Sequence, residues 1–343
     1  MPSAGVNLVY GPNGAGKSSL LEAIYLAATT RSFRTSRLVD CCRLAGREFF
    51  VGADVDGDER VRLEVSWSSA GKRRSMNGQV GSIIDHLAVA PVVSWTARDN
   101  EIFQGPPAIR RRLMDRGIIS EQAASLSVIS EYRYALEAKK AALDRQTGVL
   151  AEWNLILARA GCELARRRSR WVKRLNQRLN EILDSSDLDL GRVELGYRPS
   201  PPEALSGVEE LFTALERLTT AELARRKALV GPHRDDLEIV WRNGPVGRMA
   251  SAGERKLFGL ALTMAQSELV GDRHTKPLCL IDDLDAELDH NRLDQVWRLL
   301  GGGSQLIATT SRKSAVSKLS AAAKWQLRDG IIVRLLKDAK QIL

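Results

Sequence analysis

A chain of 343 residues with 44% hydrophobic and 27% charged residues is long enough for two lobes and too evenly composed to be disordered or fibrous. Its formal net charge of +9 favours an acidic partner (nucleic acid, a nucleotide or an anionic membrane surface) without choosing among them. Cys41, Cys42, Cys162 and Cys279 form no CxxC pair and no zinc spacing, no apolar run approaches a membrane span and no secretory leader is recognisable, so the expectation is a globular protein of the reducing cytoplasm, without membrane association.

Val6, Leu8 and Val9 make a short apolar strand that runs directly into "GPNGAGKS", Gly11 to Ser18. This matches GxxxxGK[ST] in full and stands between a predicted strand and a predicted helix, the context that a phosphate-binding P-loop requires. Glycines let backbone N–H groups curl around phosphates, a lysine reaches the β- and γ-phosphates, and a hydroxyl ligates Mg²⁺. Gly11, Asn13, Gly14, Gly16, Lys17, Ser18 and Ser19 are the expected ATP contacts, with Ser18 on Mg²⁺.

Residues 46–67 alternate apolar and polar on both sides of Asp56-Gly57-Asp58, a hairpin signal. From about 98 to 228 Ala, Leu, Arg and Glu dominate, which reads as a mostly helical second lobe. Leu136, Leu143, Leu150, Leu157, Leu164 and Trp171 recur every seven residues. Lys140, Thr147, Asn154, Gly161 and Arg168 are too polar for the companion seam, and Gly148 and Gly161 suggest breaks, so a compact bundle is favoured over a coiled-coil arm.

Arg110, Arg111 and Arg112 form one basic cluster, and Arg167, Arg170, Arg174 and Arg178 share one face of a predicted helix, beside an apolar face of Trp171, Leu175, Leu179 and Ile182. Such a strip suits a phosphate backbone, and equally a solvated charged face. Arg110, Arg111, Arg112, Arg167, Arg170 and Arg174 are the candidate DNA contacts. "GPHRDD", Gly231 to Asp236, is dense in polar groups with no role legible from its residues.

"LEIVW" at 237–241 reads as a strand, and strand–helix alternation resumes with "PLCLIDD" at 277–283, "SQLIATTS" at 304–311 and "GIIVRLL" at 330–336. Cys279 reads as core. Asp282 closes an apolar strand, where the water-mediated Mg²⁺ acid of a P-loop protein belongs, and Asp283 stands where a general base would polarise water. A short Asp there predicts slow turnover. The alternative for Asp283 is a helix N-cap. The long separation of Lys17 from Asp282 implies an insertion between the motifs.

"SAGERK", Ser251 to Lys256, precedes an Ala/Leu-rich helix; Ser251 and Gly253 offer an anion site at its N-terminus. Its position shortly before the acidic motif is that of the ABC-type signature, which meets the γ-phosphate held by a second subunit. The expected fold is α/β: an ABC/SMC-head-like P-loop ATPase lobe (1–97 and 270–343) with an inserted, mostly helical second lobe (98–269) that carries the signature.

In "GPNGAGKSSLLEAI", "RSFRT", "GPPAIRRRLMD", "GPHRDDL", "SAGERK" and "IDDLDAELDHNR" the chain resembles the RecF family of recombinational-repair ATPases, related to SMC heads. The resemblance implies Walker A roles for Lys17 and Ser18, a Walker B pair in Asp282 and Asp283, a signature in Ser251 and Gly253, and a dimer-contacting acid in Asp289. It also implies weak ATP hydrolysis, ATP-dependent homodimerisation, binding of double-stranded DNA and gap junctions, and work with RecO and RecR in loading a recombinase. Three departures stand out. A first strand that the family carries before the P-loop strand is missing, Ala97 and Arg98 replace a usual Pro-Glu before Asp99, and Glu254 replaces Gln, adding negative charge near the partner's γ-phosphate. A nucleotide-switched protein-interaction module is the alternative function. A transporter ATPase is disfavoured, since Thr309 and Thr310 stand where transporters keep a histidine.

Overall fold

In this computed structural model the described residues are 5–43, 46–57, 59–145, 150–271, 277–300, 305–328 and 330–335. The chain runs through β1 (Val6–Tyr10), α1 (Lys17–Thr29), β2 (Phe49–Val55), β3 (Val61–Ser68), β4 (Gly71–Met76), α2 (Ile83–Val89) and β5 (Val92–Trp95). Then come α3 (Glu101–Gln104), α4 (Pro107–Glu121), α5 (Ser125–Arg145), α6 (Leu150–Ser185), β6 (Glu194–Arg198), α7 (Val208–Arg217), α8 (Thr219–Arg225), β7 (Asp236–Trp241), β8 (Gly244–Pro245) and α9 (Val246–Met249). It closes with α10 (Ala252–Gly271), β9 (Leu278–Ile281), α11 (His290–Leu300), β10 (Gln305–Thr310), α12 (Lys313–Lys318), β11 (Ala323–Arg328) and β12 (Ile331–Leu335). Two compact units result: 1–100 with 182–190 and 251–343, and 101–181 with 191–250.

The first unit is built on a six-stranded sheet of order β12-β11-β1-β10-β9-β5. All neighbours pair in parallel except β12, which is antiparallel to β11. Leu8, Val9, Leu280, Ile281, Leu306 and Ile307 are buried, as strands covered on both faces must be. Val9, Leu280 and Ile307 pack with Leu21, Tyr25 and Ala28 of α1. Two side chains close the C-terminus of α1: the His86 ring bonds the Ala27 carbonyl at 2.8 Å, and Lys72 Nζ donates to the Thr30 carbonyl at 3.3 Å. A separate antiparallel meander, β2-β3-β4, forms where the hairpin is expected. Its turn residue Asp58 lies outside the described residues.

α10 belongs to this first unit, which corrects the boundary expected from sequence: residues 251–269 do not group with the helical lobe. The reason is packing. A Cβ on Gly259 would lie 2.0 Å from Trp95 Cζ2, so only glycine lets α10 approach β5 this closely, and most of the helix is buried.

The second unit combines α3–α5, α6 as far as Glu181 and α7–α9 with a small antiparallel sheet, β6-β7-β8. The seven-residue stripe from Leu136 to Trp171 is buried within the chain, as a packed bundle requires and a free arm does not. The helix break expected at Gly161 does not occur: α6 runs unbroken for 36 residues, and Gly161 makes room for Leu211, Pro232 and Tyr132. The break expected at Gly148 lies outside the described residues. Gly117 repeats the glycine device of α10, facing Trp171 where a Cβ would be 2.1 Å from the ring. Among the described residues no helix is long and apolar enough to cross a membrane.

Candidate nucleotide site

The P-loop joins the C-terminal end of β1 to α1. Gly14 and Gly16 take φ of 82° and 96°, in the left-handed region where a side chain is strained. A Cβ on Gly11 would lie 2.3 Å from the Leu327 carbonyl oxygen. No side chain caps α1 and its first turn holds no acid. Its N–H groups and positive dipole end are therefore presented to an anion without internal competition. Lys17 is buried, and its Nζ donates to the carbonyls of Gly11 at 2.9 Å and Pro12 at 3.2 Å.

Asp282 and Asp283 follow β9, which β10 separates from β1 in the sheet. One dipeptide of β10 ties the two motifs together. The Thr310 carbonyl accepts the Gly11 N–H at 3.3 Å, while the buried Thr309 hydroxyl donates to Asp282 Oδ1 at 2.7 Å and accepts the Asp283 N–H at 2.8 Å. Burial, together with the Asp282 charge, pushes the Asp283 carboxyl above the usual range, and Lys17 is close enough to oppose that shift. Asp283 has φ 46° and starts no helix, so the N-cap reading fails; Asp289 takes that place, its Oδ1 accepting the Arg292 N–H ahead of α11 at 2.8 Å. Lys256 Nζ, buried in α10, donates to the Asp283 carbonyl at 3.0 Å.

The signature segment sits at the start of α10 in the same unit. Ser251 and Glu254 form a reciprocal capping box: the Ser251 N–H and hydroxyl both donate to Glu254 Oε2 at 2.8 Å, and the Glu254 N–H returns to Ser251 Oγ at 3.3 Å. Ser251 is exposed, whereas Gly253 is enclosed by Arg292 and the Glu287 carbonyl. Asp99, the survivor of the altered segment before α3, accepts both the N–H and the hydroxyl of Thr96 at 2.8 Å.

The predicted DNA-contacting arginines divide in a way that sequence spacing did not reveal. Arg110 makes a fork to Asp236 at 2.7 and 2.9 Å, and Arg111 donates to the Asp235 carbonyl at 2.7 Å. Arg167 pairs with Glu163, Arg174 with Glu121 and Arg178 with Glu181. These arginines thus have acidic or carbonyl partners within the second unit, while Arg167, Arg174 and Arg178 stay partly exposed. Arg112 and Arg170 are exposed and make no ion pair among the described residues. With Arg170, Arg159, Arg166 and Lys173 form the outward stripe of α6, likewise exposed and unpaired. At about 1.5 Å per residue the stripe extends for about 21 Å along the helix.

The residues 1–332 match the family described as the RecF/RecN/SMC N terminal domain. The DNA replication and repair protein RecF of Streptomyces avermitilis is 30% identical over 96% of this chain and 94% of its own length. The chain belongs to the RecF family. RecF of Acidothermus cellulolyticus is 32% identical, covering 90% of this chain and 88% of the relative. A solved structure of the recombination mediator protein RecF with ATP superposes with a TM-score of 0.86 at 26% identity, over 97% of this chain and 92% of that one. An Smc head bound to the C-terminal winged helix of ScpA gives 0.56 at 18% identity, a likeness of fold alone. The chain is thus a P-loop ATPase of the RecF and ABC type. RecF membership makes sense of the long insertion between Lys17 and Asp282, but Thr309, Lys256 and the α6 stripe emerge only in three dimensions. A threonine near the end of an apolar strand and a lysine beside a signature are legible in the sequence, but their contacts with Asp282 and Asp283 are not.

Proposed function

We propose that this RecF-family chain is a DNA-repair ATPase in which two copies close around ATP and hold DNA while closed. The observation that carries this reading is that the P-loop after β1 and Asp282 and Asp283 after β9 are tied together through Thr309 and Thr310 of the intervening β10, in a chain that matches RecF over nearly its whole length.

ATP is the substrate that the P-loop suits. Gly11, Asn13, Gly14 and Gly16 shape the loop, its N–H groups and those of Ser18 and Ser19 face the phosphates, and Lys17 exchanges the Gly11 and Pro12 carbonyls for phosphate oxygens. The donor set fits Mg²⁺: Ser18 supplies a hydroxyl, and Asp282 a carboxylate oriented by Thr309, hard oxygen ligands of the kind that this ion takes. Mg²⁺ would neutralise charge on the phosphates. Asp283, held by backbone contacts on both sides, orients water as the general base. A shorter side chain than Glu leaves that water less closely held, which supports slow turnover.

Ser251 and Gly253 of a second copy complete each site, with Asp289 beside them at the contact. For Ser251 to face a phosphate, Glu254 must release the capping box, so Glu254 opposes closure. Arg112, Arg159, Arg166, Arg170 and Lys173 contact DNA phosphates, double-stranded or at gaps; Arg110, Arg111, Arg167 and Arg174 hold the second unit together. A cytoplasmic place and work alongside RecO and RecR in recombinase loading accompany this reading. The test is retention of labelled duplex and gapped DNA with ATP, with ADP and without nucleotide. ATP should raise retention at least about tenfold. Equal retention in all three conditions contradicts the clamp and favours a protein-interaction module.

A further inference from the structure

Lys256 is three residues beyond Gly253 in α10. It is 2% exposed, its Nζ bonds the Asp283 carbonyl, and it forms no ion pair among the described residues. Burying an ammonium on one carbonyl is costly, and a leucine or methionine would fill the same space without that penalty. Packing therefore does not account for a lysine here. Burial pulls its ammonium below the ordinary lysine range, and the charges of Glu287, Asp283, Asp282 and Asp285 oppose that shift only in part.

Asp283, at the other end of this contact, holds a left-handed backbone conformation with φ 46°, unusual for a residue with a side chain. Its peptide groups are fixed from two directions. The N–H donates to Thr309 on β10, and the carbonyl accepts from Lys256 on α10. The Ala286 N–H, 3.1 Å away, shares that carbonyl and closes the local turn.

We propose that Lys256 is a positioning residue for ATP hydrolysis, fixing the backbone that aims the Asp283 carboxylate and linking it to the signature at the start of the same helix. The proposal rests on the reading of Asp283 as the hydrolytic carboxylate. Lys256 does not touch ATP. It makes the placement of Asp283 depend on where the first turns of α10 stand, so a signature segment engaged by a partner's phosphate sets Asp283, and a disengaged one does not. Removing the donor therefore slows the chemical step and leaves ATP binding in place.

The test measures single-turnover hydrolysis of labelled ATP, ATP affinity and melting temperature for the full chain and for D283N, K256M, K256Q and the double variant D283N/K256M. D283N should lose at least about tenfold in rate, K256M about tenfold or more with affinity within about twofold, and the double variant no more than D283N alone. K256Q keeps an N–H donor and should stay within about threefold of wild type. A slow D283N beside a fast, folded K256M overturns the role of Lys256 alone; an unimpaired D283N overturns the reading of Asp283. If K256M does not fold, K256Q decides: a rate within about threefold supports the proposal, and a loss beyond about tenfold with unchanged melting temperature overturns it.

Discussion

Asp235 shows how much one residue of "GPHRDD" organises. Its carboxylate accepts from Arg168 at 2.8 Å, from the Tyr197 hydroxyl and from the Ser200 N–H at 2.8 Å, while Arg168 also grips Asp115 at 2.7 Å. Arg168 and Asp235 are buried, so neither carboxylate has water to fall back on. R168A should therefore destabilise the protein by about 3–5 kcal/mol, because buried Asp235 loses its counter-charge and Asp115 keeps only the half-exposed Arg133; urea unfolding measures this. Next to it, His233 Nδ1 meets the Tyr132 hydroxyl at 2.7 Å, and burial pulls the ring down to about 4 from the ordinary 6.5. Because the folded-state value lies below the unfolded one, this group's contribution is complete above pH 6.5 and is lost as pH falls toward 4. Between those limits wild type should lose on the order of 2 kcal/mol that H233N retains, read from urea midpoints across pH. This motif is a structural hub of the second unit, a role invisible in a string of polar letters because its partners are spread over α4, α5, α6 and β6.

At the scale of elements, α6 shows what helical spacing reveals and what it leaves out. Its seven-residue apolar stripe was legible, since a buried face needs only periodicity. Which arginines are free was not, because that depends on where Glu121, Glu163 and Glu181 fall once the chain has folded. Exposed, unpaired Arg166, Arg170 and Lys173 can neutralise phosphates at little internal cost. R166A/R170A/K173A should weaken DNA binding uniformly across sequences and lower the slope of log K against log salt by about 2–3, with stability almost unchanged. R110A should do the reverse, lowering stability through the lost fork to Asp236 and leaving the salt slope in place. α10 carries a similar lesson. Its anion-binding N-terminus could be read from "SAGERK", but its membership of the first unit depends on the close approach of Gly259 to Trp95, which no local pattern announces.

For the molecule as a whole, the P-loop, the acidic strand end and the sheet alternation were legible because each is a local sequence with an obligatory geometry. The parallel sheet brings the distant motifs together through strand order, with β10 between β1 and β9. β11 escaped notice because "AKWQLR" mixes polar residues into a strand that is partly exposed. The capping box of Ser251 and Glu254 bears on the proposed assembly: Glu254 occupies the Ser251 hydroxyl, so a partner's phosphate would have to displace that carboxylate. The central claim, that one site takes Lys17 from one copy and Ser251 from another, is tested most directly by mixing two inactive variants. K17A and S251R should each be inert alone. Mixed in equal amounts they should recover about a quarter of wild-type hydrolysis, since in a two-fold dimer half the pairs are mixed and each mixed pair keeps one intact site. A mixture as inactive as either variant would contradict the shared site.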